Sequence, residues 1–383
     1  MAFRRGAASS RALDRARADL DVASRAGLPL HPFLSEAAST LETAVPFVAG
    51  CLSTLDPATA MVSGTLKVEA LAGCNDADLA WARIEYGADD PTAVRSMVRE
   101  GRTSLGVHRE THGEVERSVR MAELMIPQFG FRDEARVVFT DHGGAWGSMS
   151  LFRGSDDDVF SGAELEFLAS LAPLFTRGIR TGLIAQLGAG TPTAAIGPAV
   201  IIVDAADRIV SHSPDAEALY ARMTTISGGT DPFIIVQALV TSARRTAGGQ
   251  PAGLSRLRVR TADGAWLVLQ AAPLVGDEQR RGDVVVSIEE ARPQEVLELV
   301  AGAFGLTARE REVVALVVRG DDTRRIAAAL HLSPYTVQDH LKSIFAKAGV
   351  ASRRELVAKI YLDQYVPRQG ERVNPDGWYA GPS

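Results

Sequence analysis

Residues 306–360 read LTAREREVVALVVRGDDTRRIAAALHLSPYTVQDHLKSIFAKAGVASRRELVAKI, and in this stretch one helix boundary after another can be placed. Thr307 and Glu310 have capping-box spacing, so each side chain can satisfy a backbone N–H of the first helical turn. The apolar Val313, Val314, Leu316 and Val317 follow, and Gly320 is a natural stop. Asp322 can cap a second helix carrying Ile326, Ala327 and Leu330. After His331 and Leu332, the pair Ser333-Pro334 supplies an N-cap with proline at the first helical position. The third helix runs through Val337, Leu341, Ile344 and Phe345, ends near Gly349, and is followed by a Ser352/Glu355 capping pair that opens a fourth.

Two short helices joined by a tight turn present the second one outward, where it can enter the roughly 12 Å major groove of B-DNA. With Val337, Leu341 and Ile344 turned inward, Gln338, Asp339 and Lys342 fall on the opposite face, where amide, carboxylate and ammonium groups can pair with base edges. Tyr335, Thr336, Lys347 and Arg353 are placed for the flanking phosphates, contacts that position a module without reading sequence. Residues 306–366 hold ten Lys or Arg and seven Asp or Glu, a local +3 that leaves −9 of the overall −6 to the rest of the chain. A positive end on a negative chain points to nucleic acid as the local partner. The plainer alternative is a helical interaction module with no nucleic acid.

The same residues resemble the four-helix DNA-binding domain of LuxR/FixJ-type transcription regulators. The likeness lies in the LT-x-RE opening, the IA-x-x-L second helix, the S-x-x-TV-x-x-H third helix and the SR-x-EL closing segment, over about 55 residues. The resemblance implies a sequence-specific transcription regulator that binds double-stranded DNA as a homodimer. It also implies that the fourth helix (353–362) makes much of the dimer contact and that Gln338, Asp339 and Lys342 face the bases. Two positions depart from the family pattern. Arg325 stands where Glu is usual and removes the reciprocal half of a box with Asp322, at a cost of about 1 kcal/mol or less. Gln338 stands where Lys is common, exchanging a point charge for an amide able to pair bidentately with adenine.

Working outward, EEARP at 289–293 closes one β-rich stretch, and LGAGTPTAAIGP at 187–198 separates it from the N-terminal half. In that half, helical patterns cover much of 11–48 and a strand follows near 51–55. ARVVFT and AWGSMSLFR form a hairpin across Asp141-His142-Gly143-Gly144, and a Ser161/Glu164 capping box starts a helix through Leu165, Leu168, Leu171 and Phe175. The middle stretch reads AVIIVD, RIVSHS, two helices, LSRLRVRT, a turn at Asp263-Gly264, WLVLQAA and DVVVSIEE. In LSRLRVRT, Leu257 and Val259 alternate with Arg256, Arg258 and Arg260, the pattern of a strand with one face buried and one wet. The expected fold is multidomain: an α+β GAF-like domain with flanking helices over 1–186, a linker over 187–198, and a PAS-like α+β domain over 199–292. A linker helix over 293–305 leads to an all-α four-helix helix-turn-helix domain over 306–366 and a polar tail over 367–383. The GAF-like and PAS-like labels rest on element order, not on a diagnostic motif.

Composition sets the remaining bounds. With 46% hydrophobic and 23% charged residues in 383, the chain has the makings of several globular domains. Neither a signal peptide nor a run of 18 apolar residues is visible, and two cysteines make no disulfide framework, so the expected setting is a reducing cytoplasm without membrane attachment. Cys51 and Cys74, with no His cluster nearby, give no zinc site. His108, His112, His142 and His212 read as surface or structural residues, and His340 as a packing or phosphate-facing one. Trp81, Trp146, Trp266, Phe129, Phe131 and Met149 could line a ligand pocket or fill the core. The helix at 164–180 could pair with its dimer mate or pack within the chain. No Ser-His-Asp set, paired-carboxylate site or GxxxxGK[ST] loop is present, so no enzyme is expected and no cofactor is called for. An unidentified small-molecule effector is one source of control. A regulatory protein acting on a ligand-free chain is the alternative.

Overall fold

The computed structural model describes residues 10–185, 199–223, 232–250, 254–261, 265–275 and 280–362. The expected linker, the Asp263-Gly264 turn and the expected tail lie outside these residues. The chain begins with α1 (Ser10–Arg25) and α2 (Leu30–Ala44), then β1 (Ala49–Asp56), β2 (Met61–Glu69), α3 (Asp78–Gly87), α4 (Val94–Glu100), β3 (Ser104–Gly106) and α5 (Val107–Glu110). A π-helical turn (Met121–Met125) and α6 (Ile126–Phe129) lead to β4 (Asp133–Asp141), β5 (Gly144–Arg153) and α7 (Gly162–Ala185).

The first sheet is antiparallel in the order β2-β1-β5-β4-β3. Its β4/β5 hairpin is tighter than the sequence suggests, because Asp141 pairs with Gly144 and only His142 and Gly143 form the loop. Gly144 sits at φ +122°, and a Cβ there would lie 2.0 Å from the Pro57 carbonyl oxygen, so the turn needs glycine. Because side chains alternate, the register sorts the two faces. Phe139 points to the helical side and stacks on Phe175 of α7 at 4.5 Å, with Phe33 of α2 edge-on to Phe175 at 6.1 Å. The Ser161/Glu164 box forms as read, the Glu164 N–H donating to Ser161 Oγ at 3.3 Å and the Ser161 N–H to Glu164 Oε2 at 2.8 Å. Leu165, Leu168, Leu171 and Phe175 are all buried, with α1 and α2 packed on α7, so this helix is committed within the chain.

The second sheet and its two helices follow as β6 (Ala199–Val203), β7 (Ile209–His212), α8 (Pro214–Met223), α9 (Phe233–Ala247), β8 (Arg256–Arg260), β9 (Trp266–Pro273) and β10 (Val284–Glu290). Its order, β7-β6-β10-β9-β8, repeats that of the first sheet strand for strand. The two sheets form one compact unit. In α9 every residue from Ile234 to Val240 is buried, since the helix lies on its own sheet and also against α3 of the first.

One expectation is corrected here. The arginine face of β8 is not wet: Arg258 and Arg260 are buried along with Leu257 and Val259. The Arg258 N–H and Nε donate to Asp56 Oδ2 at 2.8 and 2.9 Å and Nη2 donates to Oδ1 at 2.8 Å, while Arg260 Nη1 donates to the Leu183 carbonyl at 2.9 Å. Alternating charge marks a wet face only when no acid from elsewhere covers it.

The second unit is helical, with α10 (Pro293–Ala303), α11 (Ala308–Val318), α12 (Thr323–Ala329), α13 (Pro334–Ala348) and α14 (Arg353–Val357), the last running into a π-helical turn (Ala358–Leu362). Val313, Val317, Ile326, Val337, Leu341, Ile344, Leu356 and Ile360 make its core. The segment expected as a linker helix, α10, packs on α11 and on the closing π turn, so it belongs to this unit.

Candidate nucleic-acid interface and sensor cleft

The second unit is held at its helix ends. Thr307 Oγ1 accepts the Glu310 N–H while Glu310 accepts the Thr307 N–H at 2.7 Å, so the box is complete. Asp322 Oδ1 accepts the Arg325 N–H at 2.9 Å, and Ser333 Oγ accepts the Thr336 N–H at 3.0 Å with Pro334 behind it. Between α12 and α13, His331 takes the left-handed conformation, φ +53°, and lets the chain reverse. Gly349 ends α13 in the same region, at φ +63°. Ser352 caps Glu355, whose carboxylate reaches back one residue further than a box would, to the Ala351 N–H.

On α13, Val337, Leu341, Ile344 and Ala348 are buried. Tyr335, Gln338, Asp339 and Lys342 fall at i, i+3, i+4 and i+7 on the opposite side, and all four are exposed, Tyr335 at 74%. The one link within the stripe is an exposed Lys342–Asp339 pair at 3.5 Å, weak enough to exchange for base contacts. Thr336 is turned back, its hydroxyl 2.8 Å from Ser333 Oγ.

Two expected phosphate ligands are employed elsewhere. Lys347 Nζ donates to both Glu310 oxygens, at 2.8 and 2.6 Å, and Arg353 donates to the Asp321 carbonyl. Glu310, 4% exposed, also accepts the Ser343 hydroxyl at 2.6 Å and so ties α11 to α13. Burial works to raise its pKa, but the hydrogen bonds from Lys347, Ser343 and Thr307 outweigh it and bring the pKa down to about 2. Arg324 and Arg325, which were not among the expected phosphate ligands, are both exposed in the first turn of α12. Their charge was visible, and the cap at Asp322 could have placed them at the start of the helix.

A second candidate site lies on the first sheet, on the face away from α7. The register sets Lys67, Cys51, Ser150 and Arg136 in one transverse row across four strands, and Thr65, Ser53 and Ser148 in the next. These residues floor a cleft roofed by Trp81 of α3, Phe129 and Ile234 of α9. The cleft spans about 590 Å³ counting its mouth, of which about 50 Å³ is wide enough to admit the centre of a water molecule. Lys67 donates to Asp78 Oδ1 at 2.5 Å, to the Cys74 carbonyl at 2.7 Å and to Asn75 Oδ1 at 3.1 Å. Arg136 of the floor and Arg120 are buried with Glu85, Asp90 and Glu134. Arg120 Nη2 meets Glu134 Oε2 at 2.5 Å, and Arg136 Nη1 donates to Glu85 Oε2 at 3.1 Å and to the Thr92 carbonyl at 2.7 Å.

Of the side chains weighed for a pocket, Trp81 and Phe129 line this cleft. Phe131 stacks between Phe129 and Phe152 at 5.3 and 4.7 Å. Trp146 is core, its Nε1 donating to Asp141 Oδ1 at 2.8 Å, and Met149 points to the helical side. Trp266 is buried on β9. Cys51 and Cys74 are free thiols at the cleft, and burial pushes Cys51 up to about 11, away from thiolate reactivity. His112, His142 and His212 are exposed, and His108 and His340 half-buried. Among the described residues no group of three or more His, Cys, Asp or Glu could hold a metal ion, and no helix is long and apolar enough to cross a membrane.

Capped helices, a reversal through residues 330–333 and a polar stripe on the outward helix define a helix-turn-helix module. The model of the bacterial regulatory proteins of the luxR family (GerE) matches residues 305–360. The spore germination protein GerE of Bacillus subtilis (strain 168) is 40% identical over 55 residues, which are 14% of this chain and 74% of that protein. By this module the chain belongs to the luxR family of bacterial regulatory proteins. The monoamine regulon transcriptional regulator of Klebsiella aerogenes is 33% identical over 96 residues, 25% of this chain, and the match covers 42% of that protein's length. A GAF domain from an Acinetobacter phosphoenolpyruvate-protein phosphotransferase overlaps 45% of this chain and 94% of its own at 12% identity and a TM-score of 0.29, too loose to assign a fold.

Proposed function

We propose that the protein is a cytoplasmic, sequence-specific DNA-binding transcription regulator, without enzymatic activity of its own, whose helix-turn-helix is controlled by the N-terminal unit. The observation that carries this reading is the exposed stripe of Tyr335, Gln338, Asp339 and Lys342 on a helix capped at both ends, in a module of the luxR family. Gln338 and Lys342 read base edges, with Asp339 tuning Lys342 or accepting from cytosine. Tyr335 and Thr336 approach the flanking phosphates, and Arg324 and Arg325 take the places that Lys347 and Arg353, engaged within the module, leave open.

The working form is a homodimer. Two modules must reach half-sites about 34 Å apart, so a change in how they are presented changes affinity without any change in the module. The two five-stranded antiparallel sheets act as GAF-like and PAS-like sensor domains, and their repeated strand order supports reading them as a pair. The signal is a small molecule taken into the first sheet's cleft. Selection of bound sites from a random oligonucleotide pool tests the DNA reading: the wild-type chain recovers a preferred two-fold site, and Gln338→Ala or Lys342→Ala relaxes preference at defined positions by about 1 to 3 kcal/mol. Recovery of no preferred site, or unchanged preference in both variants, refutes it.

A further inference from the structure

The cleft on the first sheet has a composition that selects among ligands. Its ammonium is spent, because Lys67 has three N–H donors and three acceptors within 3.1 Å. Arg136 is likewise engaged by Glu85 and Thr92. The charged groups that line the cleft are Lys67, Arg136 and Asp78, a sum of +1, but Lys67 is saturated and Arg136 is held between Glu85 and Glu134, its Nε 3.3 Å from Glu134 Oε1, so an anionic ligand gains a cation only by drawing it from a carboxylate. A cation would have to compete with Lys67 for Asp78. The groups able to adapt are hydroxyls: those of Ser148 and Ser150, and those of Ser53 and Thr65, which bond each other at 3.0 Å and can turn to donate or accept as a neutral partner requires. Above them, Trp81 and Phe129 offer flat apolar surface.

Space decides the rest. The space open to the centre of a water molecule in the cleft is about 50 Å³, whereas a cavity that holds benzene measures about 150 Å³. A single-ring ligand therefore enters only if a wall moves. The floor is a four-strand row tied by ladder hydrogen bonds and backed by the buried Arg120/Arg136 ion network. The roof is α3 and Ile234, and Ile234 sits in the first turn of α9. Further along α9 the two helices are pinned, with Arg245 Nη1 donating to the Gly87 carbonyl at 2.7 Å and Thr241 packed so close that a Cβ on Gly87 would lie 2.9 Å from its methyl.

We propose that the cleft takes a small uncharged ring compound with a hydrogen-bonding edge, and that its entry displaces Ile234 and the start of α9. A ligand held on the first sheet is thereby read by the core helix of the second. The consequence for transcription rests on the reading above, whereas binding and the movement of α9 do not.

Phenol and 2-hydroxypyridine serve as neutral probes and benzoate as the charged comparator, each titrated by calorimetry into the full-length chain, with amide hydrogen exchange followed across residues 233–240. A neutral probe is expected to bind saturably, benzoate at least tenfold more weakly, and exchange over 233–240 to rise at least twofold on saturation. Ser53→Ala with Ser148→Ala should weaken the neutral probe about tenfold. Ile234→Val, a milder change that keeps the fold, should tighten it severalfold. No saturable binding of either neutral probe, benzoate bound equally well, or saturation without a change over 233–240 overturns the proposal. Saturation that moves α9 but leaves DNA affinity unaltered upholds the site and instead sinks sensor control of the helix-turn-helix.

Discussion

Asp56 and Arg258, 202 positions apart, are joined by three hydrogen bonds of 2.8 to 2.9 Å and are 3% and 6% exposed. Removing one partner of a buried pair leaves the other charged and desolvated, so Asp56→Ala should cost about 3 to 5 kcal/mol in denaturant unfolding of the N-terminal unit. The double change Asp56→Leu with Arg258→Met should recover most of that loss, because it removes both charges together. A double variant no more stable than Asp56→Ala would show that the pair holds the backbone of β8 as well as neutralising charge.

Glu310 gives the helical unit a pH dependence of known sign. Its folded pKa of about 2 lies below the ordinary 4.5, so its contribution is fully present above about pH 4.5 and is lost as pH falls toward 2. Glu310→Gln should lower stability by about 2 kcal/mol at neutral pH and flatten the dependence between pH 4.5 and 2, read from amide exchange in α11 and α13.

Lys347→Ala should destabilise the same unit by about 1 to 3 kcal/mol, because it leaves the Glu310 carboxylate without its cation. The slope of log affinity against log salt should stay unchanged. Arg324→Ala with Arg325→Ala should do the reverse, leaving stability within about 0.5 kcal/mol and reducing the slope by about two. Equal slopes in both variants would return Lys347 to the phosphate contacts.

Gly178 of α7 lies under the Phe33 ring, where a Cβ would fall 2.0 to 2.5 Å from three ring carbons. Phe33 is buried and held edge-on to Phe175, so it cannot swing aside. Gly178→Ala should cost about 1 to 3 kcal/mol despite the helix propensity it gains, measured by thermal unfolding.

What the sequence disclosed and what it hid divide by distance along the chain. The caps at Thr307, Asp322, Ser333 and Ser161 are dialogues between residues three apart, and each forms as read. The strands of the second sheet were legible as short β-prone runs between turn residues, with alternation plain in β8. The wet-looking arginines of β8 were misread because the partner of Arg258 is 202 residues away and that of Arg260 is 77 away, and the tie from Lys347 to Glu310, 37 residues away, was hidden because Glu310 was seen only as a cap. Strand β2 went unread: Gly64 interrupts MVSGTLKVE, and its place in the sheet depends on register with β1. The floor of the cleft was hidden for the same reason, since Lys67, Cys51, Ser150 and Arg136 are neighbours only across strands.

The burial of seven consecutive residues in α9 has a practical consequence for dissecting the protein. A truncation that kept 199–292 alone would leave the α3-facing side of that helix greasy and bare, and would strip Arg258 of its counter-ion. Such a fragment should clump on expression, and so should its N-terminal counterpart, whereas a piece spanning both sheets should stay in solution.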